Sequence, residues 1–235
     1  MKGNYLAPFI LSIDAGTTGV TIVLLKENGQ VLQKYYQEFN QHYPHPGWVE
    51  HDGEEIWNVT HDLMQSAFQD YSPKDCAAIG IANQRETTMI WHRKTGNPIH
   101  NAIVWQCRRT QSICQKLKDN GYENIFNNKT GLLIDSYFSG TKIKWILDNV
   151  HGARDNSKSG NLAFGTIDSW LLWNLTGGTV HSTDFTNASR SMIFNIESKE
   201  WDNELLRILD IPSSLLPEVQ YSSGNFGETD ENLFG

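Results

Sequence analysis

Only three cysteines occur in 235 residues. An odd, small number cannot build a disulfide framework, and a chain this long buries enough surface to fold without one. A reducing, cytoplasmic setting is the expectation. Basic residues are also scarce: 19 Lys and Arg stand against 27 Asp and Glu, for a net charge of −8. Without a basic stripe to displace counterions, a general nucleic-acid binder is excluded. No apolar run approaches the roughly 20 residues that span a bilayer, so no membrane span is expected. The apolar stretch Leu6–Ile13 runs into Asp14 and a Gly/Thr turn instead of a cleavage pattern, and reads as a strand. A Walker lysine loop, a Gly-x-Gly-x-x-Gly helix opening and a Gly-x-Ser-x-Gly elbow are all missing.

What is present has the pattern of an α/β chain. Phe9–Asp14, Val20–Lys26 and Val31–Phe39 read as strands, and Asn28-Gly29 supplies the hairpin signal between the second and third. The opening is therefore an antiparallel meander. Asp52 and Glu55 have capping-box spacing ahead of Ile56, Val59, Leu63, Ala67 and Phe68, which keep helical period. Ala77–Ala82 lacks alternation and reads as a strand buried on both faces. Further strands are expected at Thr87–His92, Pro98–Val104 and Leu162–Phe164. Further helices are expected at Arg108–Asp119, Ser139–Val150 and Ile167–Leu175, with a last one capped by Asp202. The polar stretch His151–Gly160 reads as a loop, and the tail Tyr221–Gly235 as a boundary or a cut. Strands first, then alternating strands and helices, predict a layered α/β architecture with a mixed sheet.

Two segments could carry chemistry. In Asp14-Ala15-Gly16-Thr17-Thr18-Gly19, glycines let the backbone approach an anion, and the Thr hydroxyls add donors for phosphate oxygens. Asp14, at the strand end, could orient the water shell of Mg²⁺, which favours oxygen ligands and keeps several waters. An ordinary hairpin turn would look the same. In Asn83-Gln84-Arg85-Glu86-Thr87-Thr88, an adjacent Arg and Glu supply the donor and acceptor that grip hydroxyls, or else a structural ion pair. Trp105 offers a flat apolar wall with one donor, suited to a polyol or simply to the core. His42, His45 and His51 sit among Pro and Gly and read as loop histidines. Cys107 and Cys114 lack metal-ligand spacing.

Several long runs carry a resemblance: Tyr43-Pro-His-Pro-Gly-Trp-Val-Glu-His-Asp52, Asn83-Gln-Arg-Glu-Thr-Thr88, Asn101-Ala-Ile-Val-Trp-Gln-Cys-Arg-Arg-Thr110, Tyr137-Phe-Ser-Gly-Thr-Lys-Ile-Lys-Trp-Ile-Leu-Asp-Asn149 and Thr183-Asp-Phe-Thr-Asn-Ala-Ser-Arg190. Together they resemble the FGGY carbohydrate kinases, in the branch that phosphorylates glycerol to sn-glycerol 3-phosphate and not xylulose or gluconate. The resemblance implies an actin-like ATPase domain with a ribonuclease H-like core, its mixed sheet opening on the three-strand meander with helices on both faces. It implies phosphate and ATP contacts at Asp14, Gly16, Thr17, Thr18 and Gly19, with Mg²⁺ held by Asp14 through water. Glycerol would be held by Arg85, Glu86 and Tyr137, with Trp105 against its carbon skeleton. Members of the family are considerably longer and act as homo-oligomers. Their catalytic base is an Asp in a Gly-Asp-Gln segment, which does not occur in residues 1–235. The base is therefore expected beyond Gly235, with the adenosine pocket that completes ATP binding in a second domain. On this reading, residues 1–235 form the N-terminal domain and are inactive alone. Ala15, Gly19, Val20, Thr21 and Ser136 depart from the branch pattern; Thr21 removes a cationic contact to nucleotide, and Ser136 replaces a Pro before Tyr137. A kinase for another polyol or sugar, or a non-catalytic binding module, are the alternatives.

Overall fold

A computed structural model describes residues 8–234, so the start of the apolar run at Leu6 lies outside the described residues. Apolar–polar alternation folds the opening into β1 (Phe9–Ala15), β2 (Gly19–Lys26) and β3 (Val31–Glu38), paired antiparallel. Leu11 pairs with Leu24 and Ile13 with Ile22, all of them buried. Gly29, at φ +81°, makes the second turn, where a side chain would be strained.

After β4 (Glu50–His51), helix α1 (Gly53–Asp70) crosses the meander. The Asp52 carboxylate accepts from Glu54 N at 2.9 Å and Glu55 N at 3.4 Å, as the spacing predicts. The Glu55 side chain does not complete the box. It accepts instead from the backbone and side-chain amides of Asn40, at 3.1 and 2.7 Å, and ties the exit of β3 to the helix. Ile56, Val59, Leu63, Met64 and Ala67 are buried against the sheet. Each large apolar side chain buried there contributes about 1.5–3 kcal/mol.

β5 (Cys76–Asn83) pairs parallel with β1, giving the order β3-β2-β1-β5. It is not the doubly buried strand its composition suggests. Ile79 and Ile81 share the face of Leu11 and Ile13, whereas Ala78, Gly80 and Ala82 are exposed. Small residues have no polarity to reveal an outer row, so the alternation was invisible. Among the described residues, α1 and, further along, α6 (Ile167–Leu175) cover the Leu11–Ile13 face. Ile10 and Asp14 on the opposite face are exposed.

Between these lie β6 (Met89–His92), β7 (Ala102–Ile103), α2 (Gln111–Asp119), α3 (Glu123–Thr130), α4 (Ser139–Asn149), α5 (Ala153–Lys158) and β8 (Leu162–Gly165). The predicted strand from Pro98 shrinks to β7 because proline has no N–H to donate, and Pro98 makes only an isolated bridge with Trp91. α3 and α5 were not predicted. α3 is rich in Asn and buries only Phe126 and Thr130; α5 buries only Ala153 and Ser157. In each case one i,i+4 pair is too little pattern to stand out from weak propensity. Beyond α6 come β9 (Ser182–Asp184), α7 (Phe185–Ala188), the β10–β11 hairpin (Phe194–Asn195 and Glu200–Trp201) and α8 (Asn203–Leu209), which Asp202 caps as expected. Ile143, Ile146 and Leu147 of α4 centre a second core with Phe126, Phe164, Leu205 and Leu209. No described helix is long and apolar enough to cross a membrane.

Candidate active site

The turn between β1 and β2 is closed by Gly16 N donating to Gly19 O at 3.0 Å. Its two glycines serve different ends. A Cβ on Gly19 would lie 2.5 Å from Gln37 O on β3, so strand packing requires that glycine. A Cβ on Gly16 would meet only Gly19 O at 3.4 Å, which leaves its outer side open to an anion. Neither has positive φ. Asp14 and Thr18 are exposed beside the turn, and Thr17 is half-buried.

Trp105 reaches this turn across 88 residues of sequence: its Nε1 donates to Thr17 Oγ1 at 3.0 Å. That bond occupies an acceptor lone pair and leaves the Thr17 hydrogen free to donate elsewhere. The Trp105 ring lies 5.5 Å from that of Tyr137, which precedes α4. Both rings are half-buried against the second core, while Ala15 and Val20 beside the turn belong to the first. The two predicted sites therefore adjoin at the seam between the cores. Ser136 does not leave the approach to Tyr137 loose. It is buried and accepts from Arg108 Nη1 at 3.3 Å, while Asp135 accepts from Tyr137 N at 2.8 Å.

Arg85 and Glu86 do not pair with each other. Glu86 is buried, and its Oε1 accepts from Arg190 Nε at 2.7 Å. The Arg190 guanidinium also lies over the Tyr137 and Phe138 rings, at 5.6 and 4.9 Å. Arg85 is exposed and holds no ion pair among the described residues. A buried carboxylate held by Arg190 and an exposed cationic side chain thus occupy adjacent positions in the chain. Sequence reasoning missed Arg190 because no local spacing links it to a residue 104 positions away. Its place inside the Thr183–Arg190 run was the only signal. Asp184 caps α7 by accepting from Asn187 N at 2.8 Å, and Asn187 accepts from Asn83 of β5 at 3.0 Å, which fixes the segment that presents Arg190.

His51 is the second residue missed. It is fully buried, not a loop histidine. Nδ1 faces Gln84 Nε2 at 3.2 Å and Nε2 faces Gln41 Oε1 at 2.6 Å. An amide nitrogen only donates, so Nδ1 accepts and the ring proton sits on Nε2. Gln41 Nε2 then donates to Thr17 O at 2.9 Å, and Gln84 Nε2 to Gly16 O at 3.3 Å. Both glutamines hold the turn through one neutral imidazole.

Burial, aided by the charge of His42, pulls His51 down to about 4. The unfolded chain protonates it near 6.5, the folded chain only near 4, so its stabilisation is complete above pH 6.5 and lost as pH falls toward 4. Buried His181, also near 4, acts in the same direction. Burial raises the Asp168 carboxyl to about 6, so this group returns stability as pH falls from 6 to 3.8. Two groups against one leave a net loss on acidification. Denaturant unfolding across pH 4–6.5 is expected to show His51→Gln with a pH slope lower than that of the parent chain by about one proton, roughly 1.4 kcal/mol per pH unit. Equal slopes would refute the assignment.

Residues 9–235 match the N-terminal domain of the FGGY family of carbohydrate kinases. The chain belongs to that family. Among curated relatives, the glycerol kinase of Halothermothrix orenii is 58% identical over 223 residues, covering 94% of this chain and 45% of the relative. Glycerol kinase 2 of Thermotoga maritima is 53% identical over 97% of this chain and 46% of its own length. The chain thus spans about half the length of the curated relatives it matches. The crystal structure of Plasmodium falciparum glycerol kinase with ADP superposes with a TM-score of 0.90 at 32% identity, over 97% of this chain and 46% of that one. A xylulose kinase from Lactobacillus acidophilus shares the fold, with a TM-score of 0.87 at 23% identity over 96% of this chain and 44% of that one. The mixed-sheet α/β class and the FGGY membership expected from the sequence both hold.

Proposed function

We propose that residues 1–235 form the acceptor- and phosphate-binding half of a glycerol kinase, which transfers the γ-phosphoryl group of ATP to a terminal hydroxyl of glycerol. The observation that supports this reading is the Trp105–Thr17 hydrogen bond, which joins the residue proposed to line the acceptor site to the turn proposed to bind phosphate. In-line transfer needs acceptor and donor side by side, because positioning and charge stabilisation do most of the work in phosphoryl transfer.

Each residue then has a role its environment suits. Glu86, held by Arg190, accepts from glycerol hydroxyls, and Arg85 donates to them. Trp105 and Tyr137 pack on the carbon skeleton. Thr17 and Thr18 donate to phosphate oxygens while Gly16 leaves room for them. Among the described residues no three His, Cys, Asp or Glu side chains are grouped to hold a metal ion. Asp14, a lone exposed carboxylate beside the turn, fits Mg²⁺ held through water with the phosphates as its other ligands. The cation would offset phosphate charge. The catalytic base and the adenosine pocket belong to the second half of the polypeptide. The assembled enzyme is a homo-oligomer.

A substrate panel on the full-length protein tests this. A pocket built on hydroxyl partners rejects an analogue lacking one by about 10⁴. Glycerol is expected to exceed 1,2-propanediol in kcat/KM by that order, and to exceed xylulose and gluconate as well. Preference for either sugar substrate points to another kinase of the family. Activity on none points to a binding module.

A further inference from the structure

Lys142 is fully buried in the first turns of α4 and forms no ion pair among the described residues. Its Nζ donates to two main-chain carbonyls, Glu86 O at 3.0 Å and Tyr137 O at 2.5 Å. Those carbonyls belong to two of the residues proposed to hold the acceptor, on segments 51 residues apart. Ser139 Oγ adds a longer contact, 3.4 Å, to Glu86 O.

A lysine is an expensive way to fill that space. A buried ammonium without a paired carboxylate is disfavoured by desolvation, and a cation near the start of a helix opposes the helix dipole. Burial pulls its pKa down to about 7, against the opposing influence of Cys107, Glu86, Asp135 and Cys114. Methionine would fill the same volume with neither penalty. What methionine cannot do is donate to two carbonyls at once. Lysine brings several hydrogens to one atom, and so fixes two carbonyls relative to each other through a single nitrogen.

We propose that Lys142 is a positioning residue of the acceptor pocket: by holding the backbone of Glu86 and of Tyr137 on one ammonium, it sets the distance between the carboxylate and the ring that receive the polyol. It touches no substrate itself. Arg190 holds the Glu86 side chain and Lys142 its main chain, so the carboxylate is fixed at both ends. This inference rests on the glycerol-pocket reading above.

The test is Lys142→Met in the full-length enzyme, with the glycerol KM, the ATP KM and thermal unfolding all measured. Loss of charged hydrogen bonds to both carbonyls is expected to raise the glycerol KM on the order of 10–100-fold. The ATP KM is expected to stay within about threefold, because the nucleotide turn is held separately by Gln41 and Gln84. Lys142→Gln, with one amide for two carbonyls, is expected to fall between the two; if the Met variant does not fold, the Gln variant decides by the same criterion. A folded variant with lowered thermal stability but an unchanged glycerol KM overturns the proposal, since Lys142 would then serve only the fold. Arg85→Ala, measured in parallel, separates the two readings. If it too leaves the glycerol KM unchanged, the pocket itself is wrong; if it raises the KM and Lys142→Met does not, only the positioning role falls.

Discussion

Glu86→Ala in the full-length enzyme is expected to raise the glycerol KM by about 100-fold, with the ATP KM little changed. Two losses combine. Glycerol loses a charge-assisted acceptor, and each such hydrogen bond contributes about 1.5–3 kcal/mol. The Arg190 guanidinium loses its 2.7 Å partner and is free to compete for the space the carboxylate held. About 2.8 kcal/mol corresponds to two decades in affinity, within the range those losses supply. Glu86→Gln keeps the shape and one acceptor oxygen, so it is expected to lie between parent and alanine variant. The comparison with Arg85→Ala sharpens the reading. Arg85 is exposed and holds no ion pair among the described residues, so its removal should leave thermal unfolding untouched while still raising the glycerol KM. An unchanged KM in both variants would remove glycerol from this pocket.

The second large effect concerns residues 1–235 as an isolated chain. Purified in this form, they are expected to transfer no phosphoryl group from ATP to glycerol above background, measured as glycerol-dependent ADP release at saturating substrates. General-base catalysis alone is worth about 10²–10⁴-fold, and the expected base is not among these residues. Closure of a second domain over the turn would also exclude water and align the donor, a contribution the isolated half cannot make. Robust turnover by the isolated chain would show that a base and a nucleotide pocket already lie within it, and would overturn the division of labour proposed here.

Local chemistry made much of this fold legible in the sequence. The meander follows from alternation and the Asn28-Gly29 turn, α1 from Asp52 and a clean apolar period, and α8 from Asp202. β5 was legible as a strand, but its open face was not, because its outer row is Ala78, Gly80 and Ala82, residues that carry no polarity to mark a solvent face. α3 and α5 failed because too few of their residues are buried to create a period. The candidate site divides along the same line. The residues proposed to contact substrate, Thr17, Arg85, Glu86, Trp105 and Tyr137, stand in recognisable runs and could be named as candidates from the sequence. The residues that hold them could not: Arg190, Lys142, His51, Gln41 and Gln84 act through partners far away in sequence, and their distances exist only once the chain is folded.

The Trp105–Thr17 bond has one more consequence. A single hydroxyl links the proposed acceptor wall to the proposed phosphate turn, and the indole N–H occupies one of its lone pairs. Any coupling between the two proposed sites through this bond must act in both directions. Whatever free energy a bound phosphate gains from an indole settled by glycerol, glycerol gains in equal measure from a hydroxyl settled by phosphate, because thermodynamic linkage is reciprocal. Synergy between the two substrates would then begin within this half of the protein, before any domain moves.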